Sequence, residues 1–402
     1  MERYLGFYFN SLTQRTNQAN DMKILYLIST TNLHGSTLSF LSLIDGVIAK
    51  GDSPYVVIPN TNGSLCEILQ KKNIPFFRVP LVFFCFPKRK KSNIIRFLLD
   101  IKSMLLGERI AQKQIEKIVS QIKPDLIHTN VGPIFSAHFI AKKHHIPHIW
   151  HIREYGDLDF NMKIFPSKSF FRKALASDYP ITITHSLLNY HHLLDNPKAT
   201  VIYNGVCNKD SFNYTPEKGN YFLCASRVSP EKKIDEVIKA FADFKKKHSN
   251  FKLIILGEAV PDYKIELTLL AESLECSDSV SFEGFQHNVM HYMEKATALV
   301  VASPAEGFGR MTAEAICAGS IVIGKKAGGT QEIIQHTAGF LYSDSNDLLN
   351  CMEKTAKLTA KEYSDIVKHG QEKAKKLFSI EEYVENVYNV YEKALKERKN
   401  AL

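Results

Sequence analysis

The chain lacks any long run of hydrophobic residues. A membrane-spanning helix needs roughly 18 consecutive apolar residues, and the densest apolar run, residues 81–86, is far shorter. The amino terminus also lacks a basic segment followed by an apolar core, which is the pattern of a signal peptide. We therefore expect neither a transmembrane helix nor a signal peptide.

Cysteine is scarce and scattered. The 7 cysteines are an odd number, and no two of them have the Cys-x-x-Cys spacing of a zinc or redox motif. The pattern argues against a disulfide framework and a zinc site, and it predicts a reducing compartment. Cys224 and Cys317 lie in apolar segments, where a free cysteine behaves as a small core residue.

Acidic residues are outnumbered by basic ones, which leaves a formal net charge of +9. Such a charge attracts acidic partners, which include nucleic acids, anionic membranes and phosphorylated small molecules. The sequence contains no zinc-finger, RRM-like or basic-zipper pattern. We therefore predict no nucleic-acid partner.

Short apolar runs alternate with helical patterns along almost the whole chain. This alternation is typical of parallel sheets covered by helices on both faces. Two series of strands occur, so the sequence predicts an α/β fold with two Rossmann-like domains. The first series is predicted at 23–29, 55–59, 76–79, 125–129, 148–152, 181–185 and 200–203. The second is predicted at 221–225, 252–256, 280–284, 298–303, 321–324 and 339–342.

The domain limits are predicted from these series. Residues 1–21 are polar and form an N-terminal extension, 22–204 form the first domain, 205–380 form the second, and 381–402 form a C-terminal helix. Ser379 and Glu382 have the spacing of a capping box at the start of that helix. Within the first domain, helices are predicted from about 36 to 50 and from about 92 to 121.

The segment 303–319 carries the strongest chemical pattern. Gly307 and Gly309 follow a strand and allow close backbone approach, and a helix is predicted directly after them. Free N–H groups at a helix start bind phosphate. Glu306 lies in the loop, and Glu314, one turn into the helix, leans back towards the same place. Such a carboxylate can accept hydrogen bonds from the vicinal hydroxyls of a ribose. The alternative is a glycine-rich loop with two solvated glutamates.

A second segment, 224–241, places two cations beside a helix start. Arg227 and Lys232 flank a turn in which Pro230 suits the first turn of a helix. Two such cations can neutralise a diphosphate, including the charge that builds on it as it leaves. The alternative is a solvated basic turn, which we expect for the neighbouring Lys233.

A third segment, 326–334, contains a glycine pair before a helix. Gly328 and Gly329 precede the helix start, and Glu332 is predicted in the first turn. Glu332 can complement the helix dipole or face a bound sugar, and the sequence leaves both roles open.

Together these segments resemble the retaining glycosyltransferases of family 4, the group 1 type, which have the GT-B fold. The family pattern is a strand ending in Gly-Arg, a Glu-Lys pair, then Glu-Gly-Phe-Gly, a second glutamate eight positions after the first, and a Gly-Gly turn. The chain matches it at Arg227, Glu231, Lys232, Glu306, Gly307, Phe308, Gly309, Glu314, Gly328 and Gly329. Ser226 stands where the family usually has the glycine of Gly-Arg. The resemblance extends from Met22 onwards and is specific only in the second half.

The resemblance implies an N-terminal acceptor domain and a C-terminal donor domain facing a cleft, with a last helix that crosses back to the first domain. It implies that Arg227 and Lys232 hold the donor diphosphate. Glu314 would bind the ribose, and Glu306 would act on the donor sugar as a catalytic residue. Gly284 and Phe285 would lie near the base. The remaining implied donor-binding residues are Gly35, Gly307, Phe308, Gly309, Gly328, Gly329 and Thr330.

The first half matches the family more loosely. The family has a Gly-Gly turn after the first strand, and here only Gly35 fits. His151 fits a family histidine near the donor sugar, so we predict it as catalytic, although a histidine at a strand end is more often structural. Arg153 and Glu154 are expected to pair with each other or to line the acceptor site.

The family needs no metal, and the sequence agrees with this. An Asp-x-Asp between two strands would hold a cation beside a diphosphate, whereas Asp157 and Asp159 lie in a predicted loop of the first domain. We expect no metal and no cofactor, with a nucleotide sugar as substrate. The resemblance also implies retention by a front-face mechanism, in which the leaving phosphate removes the acceptor proton.

A basic run follows an aromatic cluster within residues 81–96. Lys88, Arg89, Lys90 and Lys91 suit an anionic lipid surface, where each contributes about 1 kcal/mol. Such a run is usually a solvated loop, and the apolar helix after it is usually core. Because many relatives use lipid-linked acceptors, we predict peripheral binding at the cytoplasmic face of the membrane.

The sequence therefore predicts a cytoplasmic, peripherally attached glycosyltransferase that extends a surface glycan or its lipid-linked precursor. Alternatives are another reaction on this fold, such as nucleotide-sugar epimerisation or storage-polysaccharide synthesis, and an inactive donor-binding subunit that supports a partner transferase. The departures from the family at His34, Gly35 and Cys207 keep the inactive subunit open. A NAD-dependent dehydrogenase is disfavoured, because the turn after Ser29 lacks Gly-x-Gly-x-x-Gly. The sugar, the base, the acceptor, the linkage and the oligomeric state stay open.

Overall fold

The structure, a computed structural model, describes residues 21–87, 94–158 and 161–401. The described residues divide into two compact units, the first within Met1–Ile202 and Tyr383–Leu402 and the second formed by Tyr203–Glu382. Each unit is built on its own sheet, in which all the paired strands run parallel. The predicted α/β class is confirmed.

The elements of the first unit alternate along the chain. They are β1 (Lys23–Ile28), α1 (Gly35–Ala49), β2 (Ser53–Ile58), α2 (Ser64–Lys71), β3 (Phe76–Arg78), β4 (Cys85–Pro87), α3 (Ile94–Ile122), β5 (Leu126–Asn130), α4 (Phe135–Lys143), β6 (His148–Ile152), β7 (Met162–Ile164), α5 (Lys168–Ser177), β8 (Tyr179–Thr182), α6 (His185–Tyr190) and β9 (Thr200–Val201).

The elements of the second unit alternate in the same way. They are β10 (Tyr221–Ala225), α7 (Ile234–Lys245), β11 (Lys252–Leu256), α8 (Pro261–Ser273), β12 (Val280–Gly284), α9 (Val289–Lys295), β13 (Ala298–Val301), α10 (Arg310–Cys317), β14 (Ile321–Lys325), α11 (Gly328–His336), β15 (Phe340–Tyr342), α12 (Ser345–Ala356), α13 (Ala360–Phe378) and the start of α14 (Ile380–Ala401). From Tyr383 onwards α14 belongs to the first unit, as the fold prediction expects.

In both sheets the order in which strands are added reverses at the first strand. The first sheet has the order β3-β2-β1-β5-β6-β8-β9, and the second has the order β12-β11-β10-β13-β14-β15. In each case the chain adds strands on one side, returns to the first strand and then adds strands on the other side. The switch points are therefore β1/β5 and β10/β13, where the carboxyl ends of neighbouring strands leave a crevice.

The strands form because their side chains are mostly apolar and are buried on both faces of a covered sheet. In β1 the residues from Ile24 to Leu27 are fully buried, and β5 and β6 are buried along their whole lengths. The second unit has an aromatic centre, in which Phe222 and Phe244 meet edge to face with ring centroids 5.2 Å apart. Burial of this kind drives folding. It also sets the position of each strand in the sequence, because a strand buried on both faces needs a hydrophobic run.

The strongest runs predict their strands well. The structure contains the strands predicted at 148–152, 221–225, 252–256 and 280–284 with the same limits. The predicted strand at 181–185 is wrong in its limits, because β8 ends at Thr182 and α6 begins at His185. The hydroxyl of Thr184 accepts a hydrogen bond from Leu187 N at 3.2 Å, and this cap starts the helix.

One antiparallel pair has no clear sequence signal. β4 and β7 have three residues each, and their pairing places Cys85 opposite Ile164.

At the last helix, Glu382 N donates to Ser379 Oγ at 3.4 Å, which is one of the two hydrogen bonds of the predicted capping box.

The expectation that Cys317 is a free core residue is wrong. Cys207 and Cys317 form a disulfide within the second unit. The two residues are 110 positions apart in sequence, so their spacing carries no signal, and only the fold brings them together. Cys224 is buried and free, as predicted.

Candidate functional site

The second unit contains a cavity at the carboxyl ends of β10 and β13. This is the switch point of the sheet, where ligands of open α/β sheets bind. The cavity has a volume of about 120 Å³, and its lining includes Ser226, Lys232, Glu306, Gly309 and Arg310. This volume is smaller than the about 300–1,000 Å³ of common ligand pockets, so the cavity can hold only part of a ligand of that size.

Lys232 and Glu306 meet in this cavity. The ammonium nitrogen Nζ of Lys232 lies 2.6 Å from Glu306 Oε1, and the two side chains are 24% and 21% exposed. Lys232 ends a short turn, and Lys233 then takes a left-handed conformation that leads into α7. Lys232, which is predicted to bind the donor diphosphate, and Glu306, which is predicted to act on the donor sugar, are therefore in direct contact in the free protein.

A second ion pair lies on the first turns of α10. Arg310 Nε is 2.6 Å from Glu314 Oε1, and both side chains are largely buried. Burial raises the pKa of Glu314, and the neighbouring charge of Arg310 opposes that rise. Sequence reasoning missed Arg310 as a site residue. The signal was available, because a cation and an acid four residues apart share one face of a helix.

Arg227 stands apart from this cavity. It is exposed in the turn after β10 and is not part of the lining. Its charge acts on Glu231, which also accepts a hydrogen bond from Ser229 Oγ at 2.6 Å. Burial would raise the pKa of Glu231, but this hydrogen bond and the charges of Arg227 and Lys232 lower it overall.

The two glycine segments pack on each other. Gly309 has φ 88° and directly precedes α10. Gly329 N donates to Glu306 O at 2.8 Å, and a Cβ on Gly328 would lie 2.7 Å from the same oxygen. Thr330 completes the contact, since a Cβ on Gly309 would lie 2.8 Å from its Oγ1. The Gly-Gly turn thus supports the loop that carries Glu306.

Phe308 points into the hydrophobic core. Its ring is buried and lies near Tyr203 and Phe378, with centroids 6.4 Å and 5.8 Å away. A donor contact at Phe308 would therefore involve its backbone. Gly307 precedes it in the same loop, and its own contact with a donor stays a prediction.

Replacing Gly329 with alanine should destabilise the second unit, because the added methyl group would lie 2.1 Å from Phe308 O. Overpacking of this kind costs about 1–3 kcal/mol, so both the melting temperature and the donor affinity should fall. Gly370→Ala, in α13 of the same unit, is the control, since the nearest contact of an added Cβ there is Ala338 Cβ at 3.1 Å. Equal losses of melting temperature in the two variants would contradict the tight packing.

A further glycine, which the sequence analysis missed, lies beside Ser226. A Cβ on Gly257, which has φ 129°, would lie 1.9 Å from Ser226 O. Gly257 therefore allows the close backbone approach at the position where Ser226 replaces the family glycine.

At the end of β12, Gly284 has φ 68° and Phe285 is 68% exposed. Their predicted place near a base stays a prediction.

Glu332 lies further into α11 than predicted. The helix begins at Gly328, so Glu332 falls in the second turn, and the first-turn position is wrong. The effect of a helix dipole falls off within the first turn, which weakens that role. Tyr203 OH donates to Glu332 Oε1 at 2.7 Å, and burial together with this carboxylate raises the pKa of Tyr203.

In the first unit, Gly35 lies at the switch point of the sheet. It is the first residue of α1, and His34 precedes the helix without a side-chain cap. The loop from β1 leads to the start of α1, and the 15 residues of this helix have aligned peptide dipoles. The predicted phosphate contact of Gly35 stays a prediction.

His151 lies on β6 and is completely buried. Its Nδ1 is 3.2 Å from His128 Nε2, and His128 Nδ1 is 2.6 Å from Tyr391 OH. Burial lowers the pKa of His151 well below its ordinary value, and the charges of Arg153 and His128 add to the effect. Both effects favour the neutral imidazole. Its Nε2 has no hydrogen-bond partner among the described residues, and its catalytic role stays a prediction.

Arg153 is buried beside this histidine. Its Nε donates to Asn130 Oδ1 at 2.9 Å, and its Nη2 donates to Tyr383 OH at 3.0 Å. These contacts hold the guanidinium inside the first unit, and the expected pairing with Glu154 stays a prediction.

Among the described residues, His138, His148 and Asp178 have the composition of a metal site. Asp178 Oδ2 accepts hydrogen bonds from His138 Nδ1, His148 Nδ1 and Trp150 Nε1, each at 2.7 Å. Ligand atoms about 2.0 Å from a tetrahedral zinc lie about 3.3 Å from each other, so the direct contacts indicate a hydrogen-bonded network. Burial would raise the pKa of Asp178, but the two histidines outweigh it and lower the pKa.

The predicted membrane residues Lys88, Arg89, Lys90 and Lys91 lie outside the described residues. Within the part of the chain that the structure describes, no helix combines the length and the apolar character that crossing a bilayer requires.

Comparisons with known proteins relate this chain to glycosyltransferases. The family model for glycosyl transferases group 1 matches residues 208–374. The chain is 30% identical over 316 residues to an uncharacterized glycosyltransferase of Methanocaldococcus jannaschii, covering 76% of this chain and 83% of that protein. It is 33% identical over 168 residues to the O-antigen chain mannosyltransferase RfbU of Salmonella typhimurium, covering 41% of this chain and 45% of that protein.

A solved structure extends the likeness to the whole fold. The chain is similar to HepE of Anabaena, crystallised in complex with UDP, with a TM-score of 0.75 and 19% identity. The match covers 92% of this chain and 100% of that chain. Because the identity is only 19%, this similarity establishes the fold and nothing further. The fold is the predicted GT-B fold.

Proposed function

The chain belongs to the group 1 glycosyltransferases, and from that premise we propose that it transfers a sugar, with retention, to a surface glycan or its lipid-linked precursor. The donor is a nucleotide sugar. The observation that carries the proposal is the cavity between β10 and β13, where Lys232 and Glu306 meet beside the start of α10. A helix start, a cation and a carboxylate in one cavity suit the phosphate and hydroxyl groups of such a donor.

Donor binding would exchange the partner of Lys232. In the free protein its ammonium contacts the carboxylate of Glu306 at 2.6 Å. A diphosphate at the start of α10 would attract the ammonium and release Glu306 to accept hydrogen bonds from sugar hydroxyls. Arg227, exposed after β10, would supply a second cation. Both cations would stabilise the negative charge that develops on the leaving diphosphate.

Glu314 is the proposed ligand of the ribose. Its carboxylate can accept two hydrogen bonds from the vicinal hydroxyls, and Arg310 holds it in place from the same helix face. Burial around this pair strengthens hydrogen bonds to a charged acceptor.

The proposed reaction needs no covalent intermediate on the protein. The bond between the anomeric carbon and the diphosphate oxygen breaks, and the acceptor oxygen forms a new bond to that carbon on the same face. The acceptor proton passes to the leaving diphosphate. The charge of the diphosphate is met by Lys232, Arg227 and the start of α10, and we propose that no metal takes part.

The acceptor is proposed from the relatives and from the charge of the chain. RfbU is an O-antigen chain mannosyltransferase, which supports a surface glycan or its precursor as acceptor. The net charge of +9 supports attraction to an anionic surface. We propose that the protein works at the cytoplasmic face of a membrane.

Donor consumption tests this function directly. Purified protein is incubated with nucleotide sugars without acceptor, with and without EDTA, and the released nucleoside diphosphate is measured. We expect slow hydrolysis of one donor at the same rate in both conditions. A rate that EDTA abolishes and magnesium restores would overturn the metal-free mechanism.

The same experiment separates the alternatives. Donor binding without any hydrolysis, even with membrane extracts as acceptor, would indicate an inactive binding subunit. Conversion of the donor into an isomeric sugar would indicate an epimerase. Once an acceptor is found, NMR of the product reports whether the anomeric configuration is retained, and inversion would overturn that part of the proposal.

A further inference from the structure

The longest helix of the first unit exposes hydrophobic residues on the side that faces away from its core. On its inner side α3 buries Met104, Ala111, Ile115 and Val119 against the sheet and α4. On its outer side several large apolar side chains are 43% to 59% exposed, namely Leu98, Leu99, Leu105, Leu106 and Ile110. We call these five residues the α3 stripe.

The members of the α3 stripe follow the helical period. Leu98 and Leu105 are seven residues apart, as are Leu99 and Leu106, and Ile110 follows Leu106 by four. Residues at these spacings lie on one face of a helix. The stripe is therefore a continuous apolar surface, and its length of about 18 Å from Leu98 to Ile110 follows from the rise of 1.5 Å per residue.

The charges beside the α3 stripe have one sign. Its exposed neighbours in residues 94–113 include the four cations Arg96, Lys102, Arg109 and Lys113. The two acids of this segment are not exposed. Asp100 is half-buried, and Glu108 is buried and accepts a hydrogen bond from Ser136 Oγ at 2.7 Å. An apolar face flanked only by cations complements an anionic lipid surface.

A groove continues this basic flank. Arg109 and Lys113 line a groove of about 530 Å³ between α3 and α4, with Lys143 on its other side. Lys143 is paired with Glu116 at 2.5 Å. Glu116 also lines the groove, but its carboxylate is engaged by Lys143 and His144. The cations of α3 are thus the charges that the groove offers to the phosphate of a lipid headgroup.

We propose that the α3 stripe and its four flanking cations bind the surface of a bilayer that contains anionic phospholipid. The leucines enter the boundary between headgroups and acyl chains, and the cations contact the phosphates. This inference rests on the proposed function, in which the acceptor is presented at a membrane. It names a surface distinct from residues 88–91.

A matched pair of variants tests the surface. Leu99→Ser with Leu106→Ser removes the centre of the stripe. Ile265→Ser with Leu269→Ser is the control, because these two residues of α8 are each 59% exposed, which is close to the 59% and 57% of Leu99 and Leu106. Binding is measured by flotation with phosphatidylcholine vesicles, with and without phosphatidylglycerol. We expect the control to bind like the wild type. We expect the stripe variant to bind more weakly by about tenfold or by a larger factor.

The remaining outcomes would overturn the inference. Equal binding of the wild type and the stripe variant would show that another surface contacts lipid. If the wild type does not bind vesicles but forms a dimer that the stripe variant loses, the stripe is an interface between two copies. Circular dichroism confirms that both variants fold. Donor hydrolysis without vesicles is measured in parallel, so a failure of the proposed transferase activity is distinguished from a failure of lipid binding.

Discussion

Replacing Lys232 with glutamine is expected to lower kcat/KM for the donor by about 10²- to 10³-fold, which is the range seen when one preorganised charge-stabilising group is lost. The ammonium lies in the cavity at the switch point, 2.6 Å from Glu306. Its proposed contact with the leaving diphosphate becomes stronger as negative charge develops, so kcat should fall more than donor affinity. Steady-state kinetics with varied donor measure both quantities.

The neighbouring lysine provides the matched control. Lys233 is exposed, and Lys233→Gln removes the same charge one position away. We expect this variant to retain nearly full activity. If the two variants lose activity equally, the effect comes from the overall charge of the turn, and the specific role of Lys232 is contradicted.

Replacing Glu314 with glutamine is expected to weaken donor binding by about 10- to 100-fold, because a hydrogen bond to a charged group contributes about 1.5–3 kcal/mol. The proposed acceptors are the two carboxylate oxygens, which contact the ribose hydroxyls. Titration calorimetry with the donor, or with its nucleoside diphosphate, measures the affinity. Unchanged affinity would contradict the ribose assignment.

The ion pair with Arg310 requires a second measurement. Arg310 and Glu314 are largely buried together, so removing one partner leaves the other charge without compensation and destabilises the unit. The double variant, in which Arg310 and Glu314 are both glutamine, should regain melting temperature without regaining donor affinity. If affinity returns with stability, the loss in Glu314→Gln is a folding effect.

The fold is predictable from the sequence where the strands are buried on both faces. Such strands are predicted by short runs rich in apolar residues, and the runs at 148–152 and 221–225 have the same limits in the structure. Prediction fails where a local hydrogen bond decides the limit, as at Thr184, whose hydroxyl caps α6 so that the helix begins at His185 and the predicted strand is cut short at Thr182. It also fails for the pairing of β4 with β7, since only tertiary contacts define strands of three residues.

The candidate site is predictable as a set of residues but not as a set of contacts. The pattern identifies Lys232 and Glu306, yet 74 positions separate them and only the fold shows that they touch. The glycines at 328 and 329 are predicted near the donor, and the structure shows that they support the loop of Glu306. Arg310 was missed because reasoning from the motif considered the acids and glycines of this segment and not their partners.

The most direct test of the central claim is a thermal-shift titration of the purified chain with UDP, GDP, ADP, CMP and their sugars. UDP comes first, because HepE of Anabaena was crystallised with it. A ligand at about 100 times its Kd adds about 2.7 kcal/mol to the stability of the folded state. We predict a rise in Tm with one nucleotide family, and a smaller rise in Arg227→Ala and in Lys232→Gln. No rise with any nucleotide, or a rise that both variants keep in full, would contradict the assignment of the donor site.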